Sequence, residues 1–423
     1  MIILIAFVSY IILESINYIS YRYQYNIINN FRNKRNADDD FIHMRAIEFK
    51  KDFLSHVKNL PDQMTDFFYK KTKYEDISRD KLHNIMSKLI YYPYHEDLNN
   101  DKTELLNVII RECENTSNKT LSNSDYQTNS INWGENTILS WYKPLFLITI
   151  TKIIKWHTYF YLLSHKFTKT EYANGLKIWY RHGDDKYDAV IFFHASIGGL
   201  AVYKEFIKQL PTNRTVILLE IPGISFGNNV YLPPTIHEII EILISFLELN
   251  NIKTINMIGH SFGCCLISCI INRFYDTIIS KNITINKTIL IEGLVFIPRL
   301  LTIYQLFNDN AYDLSMDFIK NNKASELFYI PLFYRDLYLQ FYMQRCLSLA
   351  DNVLLGTTTY EKIDDKIHVI LAENDNKVIL DDVLHYLTSK KYNCKIKIFE
   401  NKIHGDFAFD KTMQQYVINI IKN

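Results

Sequence analysis

Glycine and proline are scarce, 12 and 9 in 423 residues. In a chain this poor in glycine, two glycines bracketing a serine at fixed spacing arise by chance only on the order of a few times per hundred proteins. Charge of one sign is also missing. Lys and Arg number 47 against 46 for Asp and Glu, a formal net charge of +1. No overall field gathers a polyanion, which excludes a nucleic-acid partner. The six cysteines, Cys113, Cys264, Cys265, Cys269, Cys346 and Cys394, lack the spacing of zinc ligands. They read as free thiols serving as small apolar residues in a reducing compartment. No metal and no organic cofactor is implied.

Long apolar runs are few. Residues 1–13 form one, but Glu14 interrupts it. Thirteen helical residues span only ~20 Å of a ~30 Å hydrocarbon core. A basic n-region and a small-residue cleavage site are both absent, so a removed signal peptide is not expected. Helix continuing through Ile16, Tyr18 and Ile19 to Tyr21 would make a strained span. Arg22, Arg32, Lys34 and Arg35 would then keep the following chain on the cytosolic side. Segment 1–21 is therefore expected to attach the protein to a membrane; a buried or interfacial helix is the alternative.

Residues 22–165 read as a helical region. Within 40–112 apolar positions recur at three and four, as in Phe41, Met44, Ile47, Phe49 and Phe53. The stretch 115–132 is rich in Asn, Ser and Thr and reads as an exposed linker. Residues 144–163 form a strongly apolar helix. Lys152 and Lys155 make it a poor span, leaving a packed connector or a helix lying on a membrane surface. After Gly175 the pattern changes. Strand candidates at 176–180, 189–193, 215–219, 254–258, 288–291, 367–372 and 395–399 alternate with helical stretches such as 236–249 and 262–275. Such alternation predicts an α/β domain over 166–423, a mostly parallel sheet with helices on both faces. Chemistry then collects at the carboxyl ends of the strands.

The sharpest local signal is Gly259-His260-Ser261-Phe262-Gly263, between a strand candidate and a helical pattern. A nucleophile elbow needs this arrangement. The serine occupies a strained strand-to-helix turn that tolerates only small residues two positions away on either side. The turn places the hydroxyl near free N–H groups at the helix start. An idle serine in an ordinary turn is the bland alternative. Serine needs a base, and the chain order Ser, acid, His nominates His404, directly behind the last strand. Asp375, in the loop after 367–372, can fix the tautomer of His404. Glu292, ending the strand before, is the alternative acid, and Glu373 points less freely. The developing oxyanion requires donors. The N–H of Phe262 is one candidate, and that of Ser196, in the loop after 189–193, is the other. His194 reads as a scaffold residue that shapes this loop.

These residues resemble, in order, the motif series of the α/β-hydrolase superfamily. The series comprises the loop His194-Ala195-Ser196-Ile197-Gly198-Gly199, then Glu220-Ile221-Pro222-Gly223-Ile224-Ser225, the elbow, Asp375 and His404. More narrowly the chain is similar to membrane-anchored hydrolases of fungi and protists, which carry an apolar N-terminus and a helical region before the domain. Asp336-Leu337-Tyr338 ahead of Asn352-Val353-Leu354-Leu355 contributes to that likeness. Ala195 departs from the usual Gly and fits only with negative φ. The resemblance implies a helical cap, placed at 296–350, where aromatics such as Tyr304, Phe307, Phe318, Phe328, Tyr338, Phe341 and Tyr342 are dense. An apolar lid favours substrates with acyl chains; simple helix packing is the alternative. The expected function is a serine esterase or lipase acting through an acyl-enzyme on Ser261, on a small-molecule or lipid ester. Thioesterase, amidase and acyltransferase chemistry stay open. The rival is an idle scaffold that binds a lipid or protein partner at a membrane.

Overall fold

The computed structural model describes residues 2–31, 77–91, 100–118, 120–121, 138, 140–184, 186–196, 198–226, 232–296, 336–346, 363–375, 377–389 and 391–422. Four helices come first: α1 (Ile2–Asn30), α2 (Arg79–Tyr91), α3 (Asn100–Ser117) and α4 (Leu145–Ser164). Eight strands follow, β1 (Thr168–Glu171), β2 (Lys177–Arg181), β3 (Ala189–Phe193), β4 (Val216–Glu220), β5 (Thr254–His260), β6 (Thr284–Ile291), β7 (Ile367–Ala372) and β8 (Lys395–Phe399). The helices among them are α5 (Lys204–Gln209), α6 (Ile236–Leu249), α7 (Gly263–Cys269), α8 (Tyr275–Ser280), α9 (Leu337–Phe341), α10 (Leu380–Ser389) and α11 (Lys411–Lys422).

The strands form one sheet in the order β1-β2-β4-β3-β5-β6-β7-β8. β2 runs antiparallel to both β1 and β4, and every other pairing is parallel. Central parallel strands are covered on both faces and need side chains apolar all along. In β3 the run Ala189-Val190-Ile191-Phe192-Phe193 is buried at every position. One core packs α6, α7 and α10 against one face of the sheet. A second core, with Leu162 of α4, Phe206 of α5 and Val417 of α11, covers the other.

The predicted α/β class and the strand and helix placements after Gly175 hold among the described residues, some with shifted ends. β1 is a finding: Thr168-Lys169-Thr170-Glu171 is exposed throughout, so it carries no hydrophobic signal, yet it pairs with β2. β6 begins at Thr284 and not at 288. The helix expected over 262–275 is α7 and α8 joined through a π-turn at Ile270–Phe274. At the N-terminus α1 runs well past residue 21, and among the described residues no helix is long and apolar enough to cross a membrane. Glu14 supplies the reason that this helix belongs partly to the protein body. Its carboxylate accepts from the Tyr142 hydroxyl and from the Leu145 N–H at the start of α4. The linker expected at 115–132 begins inside α3, and most of it lies outside the described residues, as do Phe41, Met44, Ile47, Phe49, Phe53, Arg32, Lys34, Arg35, the run 352–355, and most of the cap at 296–350.

Candidate active site

β5 ends beneath the centre of the sheet's carboxyl edge, and the chain turns at once into α7. Ser261, at the turn, has φ +51°, the left-handed region a side chain enters only under local compulsion. The compulsion is visible. Its N–H donates to the carbonyl of Ile291 at the end of β6 (2.8 Å), and its carbonyl accepts from Cys264 N–H (3.0 Å). The flanking glycines are needed for space. A Cβ on Gly263 would lie 2.1 Å from the Phe193 carbonyl oxygen, and one on Gly259 2.9 Å from the Cys264 nitrogen.

The loops after β7 and β8 converge on this turn. His404 Nε2 lies 2.9 Å from Ser261 Oγ, and its Nδ1 lies 2.8 Å from Asp375 Oδ2. The other oxygen of Asp375 accepts from the N–H groups of Lys377 and Val378, 2.8 Å each. Burial works to raise the Asp375 carboxyl, but the hydrogen bond and charge of His404 and the two amides outweigh it and hold it below its ordinary value. An ionised Asp375 accepts only, which assigns the proton to His404 Nδ1 and leaves the Nε2 lone pair facing the serine.

Glu292, the alternative acid, is fully buried at the end of β6 but stands 4.0 Å from His404 Nδ1. Its Oε2 accepts instead from His260 Nε2 (2.9 Å) and from the N–H of Gly405. Burial opposes its charge, and the His260 hydrogen bond overrides that, keeping the carboxyl below its usual range. Glu373 bonds the N–H of Asn401 at the exposed edge. Behind Glu292 a chain of polar groups runs through the core. The Ala195 N–H donates to the Tyr203 hydroxyl, which donates to His260 Nδ1, and His260 donates its Nε2–H to Glu292. His260 and Tyr203 were not singled out from sequence. The available signal was a histidine inside the elbow followed by a glutamate ending the next strand.

The loop after β3 carries the other candidate groups. Ala195 is absent from the residues with left-handed backbone, so its departure from glycine introduces no strain. Its N–H is taken by Tyr203, which leaves Ser196 as the candidate donor. Among the described residues the N–H groups of Ser196 and Phe262 donate to no backbone carbonyl. His194 is fully buried. Its Nε2 accepts from the Ile221 N–H (3.1 Å), its Nδ1 donates to the Ala195 carbonyl (2.7 Å), and burial pushes its pKa down to about 4. It stays neutral and ties this loop to the turn after β4.

A cavity of about 490 Å³ adjoins the loop at Ser196 and Gly198. Tyr21 and Gln24 of α1, Lys155 of α4 and Tyr338 of α9 wall it, while Ser261 and His404 do not. Of the expected cap aromatics, Tyr338 hydrogen-bonds Gln24, Phe341 packs on Phe31, and Tyr342 packs on Phe262. The cysteines are free, and burial raises the thiol of Cys113 to about 12. Among the described residues one group, Glu292, Asp375 and His404, has the proximity of metal ligands. Within it His404 bonds Asp375, while Glu292 bonds His260 and the Gly405 N–H.

Strand order, the elbow after β5, and acid and histidine loops after β7 and β8 together decide the architecture. The fold is that of the α/β-hydrolases. No protein-family model and no curated protein matches the chain in sequence. Solved structures share the fold. A 2-hydroxy-6-oxo-6-phenylhexa-2,4-dienoate hydrolase from Rhodococcus is 14% identical, with TM-score 0.46, over 61% of this chain and 99% of its own. Naproxen esterase from Bacillus subtilis is 13% identical, TM-score 0.43, over 64% and 97%. A hydrolase from Pseudomonas aeruginosa is 12% identical, TM-score 0.42, over 61% and 98%. At these identities the likeness is one of fold alone.

Proposed function

We propose that the protein is a serine hydrolase that cleaves a carboxylic ester through an acyl-enzyme on Ser261. The observation that carries the reading is the unbroken line Ser261 Oγ, His404, Asp375, with links of 2.9 and 2.8 Å, drawn from three distant segments. Ser261 Oγ attacks the ester carbonyl carbon while its proton passes to His404 Nε2. Asp375 holds the imidazolium that forms. The N–H groups of Ser196 and Phe262 receive the carbonyl oxygen as it becomes negative. Collapse expels the alcohol, which takes the proton from Nε2. Water, deprotonated by the same nitrogen, then releases the acid and restores the hydroxyl.

The narrower likeness to membrane-anchored hydrolases belongs to the same proposal and is supported by the exposed apolar surface of α1 and α4. A fluorophosphonate probe tests the reaction, because it labels only an activated serine. Wild type is expected to label and Ser261→Ala to remain unlabelled. A wild-type protein that stays unlabelled and hydrolyses no acyl ester removes the proposal.

A further inference from the structure

α1 is buried at only one end. Ile28 is fully covered, whereas Ile5, Phe7, Val8, Tyr10, Ile11, Ile12 and Leu13 are each 44–60% exposed. Every residue from Ile5 to Leu13 is exposed, whichever side of the helix it occupies. A helix apolar on all sides is stable when an apolar medium surrounds it. Water is not that medium, and no element of the described protein fills the place. Nine residues at ~1.5 Å each reach ~14 Å, about half of a ~30 Å hydrocarbon core.

α4 starts beside the base of this projection, bound to Glu14, and adds a second exposed apolar set: Phe146, Ile150, Ile153, Trp156 and Phe160. Where the two helices meet, Tyr18, Tyr21 and Tyr142 pack edge to face, with Trp141 beside them in the cavity wall. Rings of this kind, apolar with one polar end, settle at a membrane–water boundary. The neutral total charge conceals a local bias. α4 has no acidic residue but carries Lys152 and Lys155, both in the cavity wall; Lys143 beside them is paired with Asp336 (2.6 Å) and adds no net charge, and the one carboxylate of α1, Glu14, is held by hydrogen bonds. A cationic rim around an apolar projection matches an anionic lipid surface. A second copy of the chain would meet the same lysines, and the one acid on the two helices, Glu14, is already bonded to Tyr142 and the Leu145 N–H.

We infer that α1 and α4 form a docking surface for one leaflet of an anionic bilayer, with α1 inserted to about Leu13 and the cavity at Ser196 receiving the acyl chain of a lipid ester from that leaflet. This rests on the serine-hydrolase reading for the ester but not for the docking. The cavity fits the role by position, being walled by both docking helices on one side and by the candidate oxyanion loop on the other.

The test is flotation of the full chain with vesicles of phosphatidylcholine alone and with added phosphatidylserine. Wild type is expected to float, more strongly with phosphatidylserine and less at high salt. Phe7→Glu combined with Ile12→Glu is expected to lower partitioning by about a hundredfold, because both charges would enter the acyl region. Leu249→Glu, 82% exposed on α6, is the control and should float as wild type does. Hydrolysis of a soluble short-chain ester is followed alongside. The double variant should keep that activity and lose hydrolysis of a long-chain ester embedded in vesicles. Wild type that labels with fluorophosphonate yet fails to float, or a double variant that floats normally, overturns the inference and leaves the hydrolase reading standing. A wild-type dimer that the double variant converts to monomer, with no vesicle binding, also overturns it in favour of a second copy as occupant. Flotation without any esterase activity keeps the docking and removes the hydrolase.

Discussion

Glu292 brings its carboxylate to 4.0 Å from His404 Nδ1 and does not bond to it, because that nitrogen is turned to Asp375 at 2.8 Å. Two buried acids thus flank one imidazole, and only one can orient it. Asp375→Asn is expected to lower kcat/KM roughly 10⁴-fold, since the amide can favour the wrong tautomer. Glu292→Gln keeps an acceptor for the Gly405 N–H and changes only the nearby charge. A loss of about tenfold to a hundredfold follows from the ~1.5–3 kcal/mol of a charged hydrogen bond. Steady-state kinetics on both variants ranks the acids, and a larger loss at Glu292 reverses the assignment.

Tyr203 joins the loop of the candidate oxyanion donor to the elbow histidine through one hydroxyl. Tyr203→Phe keeps the ring and its packing on Phe192 and Phe407 but orphans the Ala195 N–H and His260 Nδ1. Each buried group left unpaired costs about 1–3 kcal/mol. We expect a lower urea midpoint together with a reduced kcat at little-changed KM, because the loop that would shift carries the proposed oxyanion donor Ser196. Unchanged kcat with lowered stability would limit the tyrosine to a structural part.

The pattern of what the sequence revealed follows from the kind of signal each part carries. β7, β8 and α6 were found to the residue, because apolar runs or periodicity filled them and breakers bounded them. That Ser261, Asp375 and His404 come together was legible, since a strand, a tight turn and chain order constrain them jointly. β1 was not, for Thr168-Lys169-Thr170-Glu171 owes its conformation to backbone pairing with β2 and hides no side chain. The Tyr203–His260–Glu292 chain was equally silent. Its members lie 57 and 32 positions apart, and nothing local says that a buried histidine faces a buried acid. Glu292 was noticed as a possible acid; its partner was the missing half.

Stability should also fall in mild acid, for a definable reason. His194 ordinarily titrates near 6.5 and is pushed to about 4 by burial. The unfolded chain therefore takes the proton first. The stabilising contribution is full above the unfolded value and is lost as pH drops from about 6.5 through about 4, at most about 3 kcal/mol. Asp375 and Glu292, both held low, add losses only below the ordinary carboxylate range. Urea midpoints at about pH 7.5 and pH 5 should fall further for wild type than for His194→Gln. Parallel falls in the two proteins would take His194 out of the account.

Two glycines near the site make opposite demands, and alanine separates them. At Gly263 the backbone is ordinary helix, but an added Cβ would lie 2.1 Å from the Phe193 oxygen in the middle of the sheet. A central strand cannot retreat, so Gly263→Ala is expected to lose more than about 4 kcal/mol, beyond the usual range for one substitution. At Gly405 an added Cβ meets nothing within 4 Å, but φ is +94°. Gly405→Ala should therefore fold, weaker by about 1–2 kcal/mol from left-handed backbone strain. It should also lose activity, because the Gly405 N–H that bonds Glu292 sits next to His404 and moves with any relaxation of that turn. Urea denaturation of both variants, with ester hydrolysis for the second, checks the pair. A Gly263→Ala protein with a near-wild-type midpoint would mean that the elbow has room to move away from β3.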